Sequence, residues 1–291
     1  MESSQQGPRI LITGASGYVG GRLLHALEER SAPGLALRCL ARYPEYLRGK
    51  VNASTQVVQG DVLDPASLCA AMEGVETAFY LVPSAASTSS EEDDRRAASA
   101  FGEAARQTGV RRIIYLGGLG ENHREIGRLL ARSGVPTVEF RTFIIIGSGS
   151  LSFEMLRALV EKLPLIPAPR WFRTRSQPIA IEDVIAYLQE ALHGEMEGVF
   201  EIGGADEVSY AGLILEYARA RGLRRFLVPV PVMAPRLFSL LLEVITPLYA
   251  RAVRKVIASL RQDAVLGQRR AHEMFAVRPR GVREEIGRAH V

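Results

Sequence analysis

Lysine is nearly missing from this chain. Of 36 basic residues only Lys50, Lys162 and Lys255 are lysines. An arginine bias on this scale reflects genome composition more often than function, so basic character alone identifies no partner. Cysteine is equally scarce. Cys39 and Cys69 are the whole complement, they lack metal-ligand spacing, and a reduced pair in the cytoplasm is the expectation. Long apolar runs are also lacking. The most apolar stretch, residues 236–260, is interrupted by Arg236, Glu243, Pro247 and the basic cluster at 251–255. No charge-free span of about 20 residues remains, and a transmembrane helix is not expected. Three roles stay open for this stretch: an amphipathic helix on a membrane surface, a lid over a pocket, or a face for a homo-oligomer. Residues 1–8 are too short and polar for a signal peptide. His25, His193, His272 and His290 show no metal spacing, so no metal is expected, and no internal repeat occurs.

What is present is an ordinary globular composition, 47% hydrophobic and 23% charged, over 291 residues. That length suits one large domain or a domain with a smaller lobe. The net charge of +4 is unevenly spread: residues 219–291 carry 15 basic against 5 acidic side chains, and residues 1–218 carry 21 against 27. Either the tail meets an anionic partner or it packs on the acidic body of its own molecule. No recognition-helix or RNA-binding motif accompanies it, so nucleic acid is not expected as a partner.

The densest signal lies near the amino terminus. An apolar run, Ile10-Leu11-Ile12, is followed by Gly14, Gly17 and Gly20. The run suits a strand buried on both faces of a parallel sheet. Gly14 permits a sharp turn, Gly17 lets a pyrophosphate approach the backbone, and Gly20 lets the next helix pack closely. That helix, Tyr18–Glu29, would aim its free N–H groups and positive dipole end at the phosphates. A strand, then this turn, then a helix is the context that makes a dinucleotide site.

Strands are expected at residues 35–41, Gln56–Gln59, 77–81, 111–116 and 138–146. The helices between them are expected at Pro65–Met72 behind an Asp64 N-cap, at residues 91–109 with acids first and Gly109 last, and at residues 121–133. The alternation implies an α/β fold, a doubly wound parallel sheet with a smaller C-terminal lobe. The boundaries are a dinucleotide-binding domain at 8–150 and a substrate or partner lobe at 151–291. Beyond 150, residues 163–175 hold three prolines and read as irregular, residues 177–181 as short and extended, and residues 228–235 as a proline-rich link.

NAD sites place a carboxylate about 20 residues past the glycine turn. Here Arg42 stands near that position, and a guanidinium would grip a 2′-phosphate. NADP is therefore favoured over NAD, with Arg38 a second candidate on the same strand. The alternative for Arg42 is a solvated loop arginine. Asp61 and Val62 follow the third strand, where they suit the adenine amino group and ring; the alternative is a turn aspartate. Leu81, Val82 and Pro83 end the fourth strand, and Gly117 and Gly118 the fifth, at the edge where open α/β sheets bind ligands.

The motifs Thr13-Gly14-Ala15-Ser16-Gly17-Tyr18-Val19-Gly20, Gly60-Asp61-Val62, Tyr115-Leu116-Gly117-Gly118-Leu119-Gly120, Gln177-Pro178-Ile179-Ala180-Ile181-Glu182-Asp183-Val184 and Glu201-Ile202-Gly203-Gly204 together resemble the atypical branch of the short-chain dehydrogenase/reductase superfamily. The likeness is to NmrA-like and epimerase-like NAD(P)-binding proteins, and runs from about residue 8 to 225. It implies a Rossmann-type fold, with Gly14, Ser16, Gly17, Tyr18 and Val19 among the cofactor contacts. Working enzymes of the superfamily use a Ser at the fifth strand, where this chain has Gly117 and Gly118, with a Tyr and a Lys four residues after the Tyr. Only Tyr46 and Lys50 have that spacing here, just after the second strand, where it reads as chance. The helix after the fifth strand offers His123 as a proton donor; its alternative is a surface residue. Tyr115 reads as core, and Arg141 either binds a substrate anion or pairs with a carboxylate or a helix end. Two functions follow. One is an NADP-dependent oxidoreductase acting on a small carbonyl-type or quinone-type compound without the usual set. The other is a non-catalytic NADP(H)-binding sensor or accessory protein, as NmrA-like regulators and an accessory subunit of respiratory complex I are.

Overall fold

A computed structural model of the chain describes residues 9–29, 35–82, 90–230, 271 and 274–288. Pro83 and residues 236–260 lie outside these. The chain divides into two compact units, Met1–Arg141 with Ile185–Phe200, and Thr142–Val184 with Glu201–Val291. The division is thus discontinuous, whereas the sequence reading drew one boundary at 150.

The first unit is built on the expected alternation. Strand β1 (Arg9–Thr13) leads to helix α1 (Tyr18–Glu29), then β2 (Ala36–Ala41), β3 (Gln56–Gln59), α2 (Pro65–Met72), β4 (Thr77–Tyr80), α3 (Glu91–Gln107), β5 (Arg112–Gly118), α4 (Glu121–Ala131) and β6 (Thr137–Thr142). Together with β11 (Gly198–Glu201) the strands form one seven-stranded sheet in the order β11-β6-β5-β4-β1-β2-β3. The pairs β1–β2, β1–β4, β2–β3 and β4–β5 are parallel. The strand order reverses between β1 and β4, and such a switch point opens a crevice at the carboxyl ends of the strands.

Local chemistry starts the helices. Asp64 accepts from the Ala66 N–H at 3.1 Å, with Pro65 at the first helical position. Ser90 and Asp93 form a reciprocal capping box at the start of α3, whose first turn holds four acids. A core of Leu11, Leu68, Phe101, Ile113 and Leu130 lies between the sheet and α2, α3 and α4.

The second unit departs from the sequence reading in two places. The stretch 138–146 is two strands. β6 ends at Thr142, and Ile145–Ile146 (β7) pairs with Ile179–Ala180 (β10). Ile144 and Ile146 belong to a separate core with Phe153, Leu156, Leu213 and Tyr217, so one apolar run serves two cores. The proline-rich stretch is ordered as well. β8 (Leu165–Pro169) pairs in parallel with β13 (Phe226–Val230), which takes in the start of the expected link. Prolines lack an N–H, and a two-stranded ribbon leaves an edge that needs none. β9 (Arg175–Ser176) pairs antiparallel with β12 (Val208–Ser209). Helices α5 (Leu151–Lys162), α7 (Tyr210–Ala220) and Val282–Arg288 complete the unit, and α6 (Ile181–Glu190) follows β10. Among the described residues no helix is long and apolar enough to cross a membrane.

Candidate functional site

At the switch point, Thr13 fastens β1 to β4: its Oγ1 donates to the Phe79 carbonyl at 2.8 Å and accepts from the Leu81 N–H at 3.4 Å. Gly14 then turns the chain with φ +76°, a conformation that costs L-residues free energy. A Cβ at Gly14 would overlap the Leu81 carbonyl oxygen, and one at Gly20 would overlap the Gly14 carbonyl oxygen. The Gly17 N–H donates to the Gly14 carbonyl at 2.9 Å. Helix α1 therefore starts tight against the turn, with its positive end at the mouth of the crevice.

A cavity of about 660 Å³ opens there. Gly14, Ser16 and Gly17 form its floor, while Arg42, Asp61, Val62 and Val82 line it from the ends of the neighbouring strands. The arrangement fits a dinucleotide: bare backbone where phosphates would lie, a cation beyond β2, and a carboxylate beyond β3. Arg42 is exposed and makes no ion pair among the described residues. Asp61 Oδ1 accepts from the Leu63 N–H at 3.0 Å, so it is a turn aspartate that also faces the cavity.

Tyr18, Val19, Leu81, Gly117, Gly118 and His123 are not among the lining residues. Tyr18 stacks under the Arg22 guanidinium at 5.4 Å, and Leu81 presents its carbonyl to Gly14. Arg38 is corrected outright. It is buried near the amino end of β2, where Nε donates to Gln56 Oε1 at 2.8 Å and NH1 to the Ala71 and Glu73 carbonyls at 2.6 and 3.0 Å. It clamps β2 to β3 and to the end of α2. Conversely, Tyr46 and Lys50, whose spacing read as chance, both line the cavity beside Arg42. A turn of 3₁₀ helix, Pro44–Tyr46, folds the chain back after β2 and brings them there. Asp93 and Asp94, at the start of α3, line it too; the sequence had marked them only as a helix start.

At the end of β5 lies a polar cluster. The Tyr115 hydroxyl is 3.1 Å from His123 Nδ1. Asn122 Nδ2 donates to Asp94 Oδ2 at 3.1 Å. His123 is half-buried rather than a surface residue, and burial lowers its pKa against a smaller opposing pull from Asp94. Burial pushes the Tyr115 phenol far up, reinforced by Glu139. Arg141 takes the carboxylate reading: its Nε donates to the buried Glu139 at 2.6 Å. Burial still raises the Glu139 pKa, though Arg141 opposes it.

Sheet, switch point and glycine turn define an α/β dinucleotide-binding protein. Residues 14–133 match the family model described as NAD(P)H-binding. A curated relative, a 3β-hydroxysteroid dehydrogenase/Δ5→4-isomerase of Mycobacterium tuberculosis, is 30% identical over 118 residues, which span 37% of this chain and only 30% of that protein. Among solved structures, Citrobacter sp. triphenylmethane reductase complexed with NADP(H) superposes with a TM-score of 0.76 at 16% identity, covering 97% of this chain and 99% of that one. The NADPH-dependent quinone oxidoreductase QOR2 of Escherichia coli, complexed with NADPH, gives 0.73 at 18% identity, covering 96% and 99%. At such identities the likeness is one of fold. It agrees with the Rossmann-type fold that the motifs imply.

Proposed function

We propose that this protein is an NADP(H)-dependent, NmrA-like oxidoreductase that reduces a small quinone-type or carbonyl-type compound without a Ser-Tyr-Lys set. Residues 8–150 are the cofactor domain, and residues 151–291 the substrate or partner lobe. The observation that carries the reading is that two cations line the cavity, Arg42, near the position where an NAD site holds a carboxylate, and Lys50. Neither has an ion-pair partner among the described residues. A 2′-phosphate would supply one, and Arg42 offers it a planar fork of donors. His123 is the proposed residue at the reacting end. Two fold neighbours, described as a triphenylmethane reductase and a quinone oxidoreductase, support a reductase that acts on extended conjugated acceptors.

Titration calorimetry with NADPH and NADH tests the cofactor choice. Wild type binds NADPH more tightly. Arg42→Ala weakens NADPH by roughly 10- to 150-fold, the worth of hydrogen bonds to a charged group, and leaves NADH unchanged. Equal affinities in wild type refute the preference, and silence with both refutes the reading altogether. NADPH oxidation with benzoquinone, menadione and simple enones then tests turnover. One observation favours a non-catalytic binder: a Cβ at Gly117, where the superfamily carries its Ser, would sit 2.7 Å from the Tyr115 hydroxyl. NADPH that raises the melting temperature without turnover on any acceptor selects that second reading.

A further inference from the structure

The two glycines that end β5 do not line the cavity, yet each is required by what packs on it. At Gly117 an added Cβ would meet the Tyr115 hydroxyl at 2.7 Å; at Gly118 it would meet His123 Cδ2 at 2.9 Å and Nε2 at 3.2 Å. The missing side chains are thus the seat of a phenol and an imidazole that touch each other. The Tyr115 hydroxyl has one proton and two nearby acceptors, His123 Nδ1 at 3.1 Å and the His123 carbonyl at 3.4 Å. The carbonyl lies within helix α4, where the amide four residues on serves it. The ring nitrogen is the nearer of the two.

We propose that Tyr115 is a positioning residue: its hydroxyl donates to Nδ1 and holds His123 as the Nε2–H tautomer, seated over Gly118 at the carboxyl end of β5, to donate a hydrogen bond to the acceptor oxygen of the substrate. This rests on the oxidoreductase reading above. The pair shuttles no proton of its own. A neutral imidazole polarises a carbonyl or quinone oxygen as a fixed donor. Hydride from the reduced nicotinamide reaches the acceptor, and the proton that completes the reduction comes from water. Burial favours the neutral form of both members, and Asp94 opposes it at His123. Asp94, from α3, is the charge acting on His123. Tyr115 is flanked by Tyr80 of β4 at 5.9 Å between rings, and by Glu139 with its partner Arg141 on β6.

The test is ring-nitrogen NMR of the full-length protein, with His123 assigned by difference from His123→Gln. In wild type at about pH 8, where an ordinary histidine is neutral, the proton sits on Nε2. Tyr115→Phe removes one oxygen from a packed ring, and its His123 signals should average between tautomers while far-UV circular dichroism stays unchanged. Gly118→Ala pushes on the ring directly and should shift the same signals with Tyr115 intact. A wild type protonated on Nδ1 overturns the proposal, as does a Tyr115→Phe or Gly118→Ala spectrum identical to wild type. With NADPH and menadione, Tyr115→Phe should lower kcat about 10-fold and leave the KM for NADPH unchanged. Turnover in wild type that Tyr115→Phe leaves intact removes the positioning role alone. NADPH binding with no turnover in wild type removes the oxidoreductase reading, whatever the tautomer.

Discussion

Gly14 and Gly109 have nearly the same backbone conformation, φ +76° and +75°, and differ in what surrounds them. A Cβ at Gly109 meets nothing within 4 Å, whereas one at Gly14 overlaps the Leu81 carbonyl oxygen. Substituting each by alanine separates two costs. Gly109→Ala carries only the left-handed conformation, about 1–2 kcal/mol. Gly14→Ala adds a collision with backbone that cannot rotate away, about 1–3 kcal/mol more by analogy with overpacked cores. At about 2–4 °C per kcal/mol for a unit of this size, Gly14→Ala should melt on the order of 5 °C below Gly109→Ala. The collision also moves the turn that carries Ser16 and Gly17, so NADPH should bind at least about 10-fold more weakly to Gly14→Ala, a loss of about 1.4 kcal/mol. Gly109 ends α3 away from the cavity, and its variant should bind as wild type does. Thermal denaturation and calorimetry on both variants decide the matter. Equal melting temperatures, or a Gly14→Ala protein with wild-type affinity, would refute the cradle.

Arg38→Ala should destabilise by about 1–3 kcal/mol, because it strands the buried Ala71 carbonyl, and should leave the ratio of NADPH to NADH affinity unchanged. A shifted ratio would mean that Arg38 takes part in cofactor choice after all. Glu285 is buried, accepts from Arg280 at 3.1 Å, and has its pKa raised by burial despite that partner. A carboxyl raised on folding holds its proton more tightly in the folded state. Its contribution is full below the ordinary glutamate value of about 4.3 and is lost as pH rises through the raised value. The melting temperature of wild type relative to Glu285→Gln should therefore be highest near pH 4 and fall toward pH 7. A difference that is flat or grows with pH refutes the burial argument.

The parts of the fold that were legible share one property: their cause is local. Asp64-Pro65 caps its own helix, and Glu91–Asp94 opposes the dipole of the helix it begins. The glycine turn is set by atoms within seven residues, apart from the Leu81 carbonyl. The illegible parts have distant causes. Leu165–Pro169 becomes a strand only because Phe226–Val230, some sixty residues on, lies beside it. Residues 138–146 divide because the two halves of one apolar run enter different cores. Arg38 and Arg42 stand four apart on one chain segment, and the sequence offers either to a phosphate. What separates them is position along the strand: one meets the end of α2 and the other the cavity.

The reacting end shows the same limit more sharply. A search for tyrosine with lysine four residues on finds Tyr46 and Lys50, which belong to the cavity beyond β2, and finds nothing at the end of β5. Yet a tyrosine is there. Tyr115 points at His123, eight residues on, across the turn between β5 and α4. A spacing rule written for one helix cannot detect a contact between a strand and the helix that follows it. Nor do the glycines announce it, because Gly117 and Gly118 read equally well as room for a cofactor or as room for the protein's own rings. In the structure the Tyr115 and His123 rings lie against them. It follows that restoring a serine at Gly117 would not rebuild the superfamily's usual set. The new side chain would strike the Tyr115 hydroxyl, and by disturbing the His123 contact should lower whatever activity the protein has.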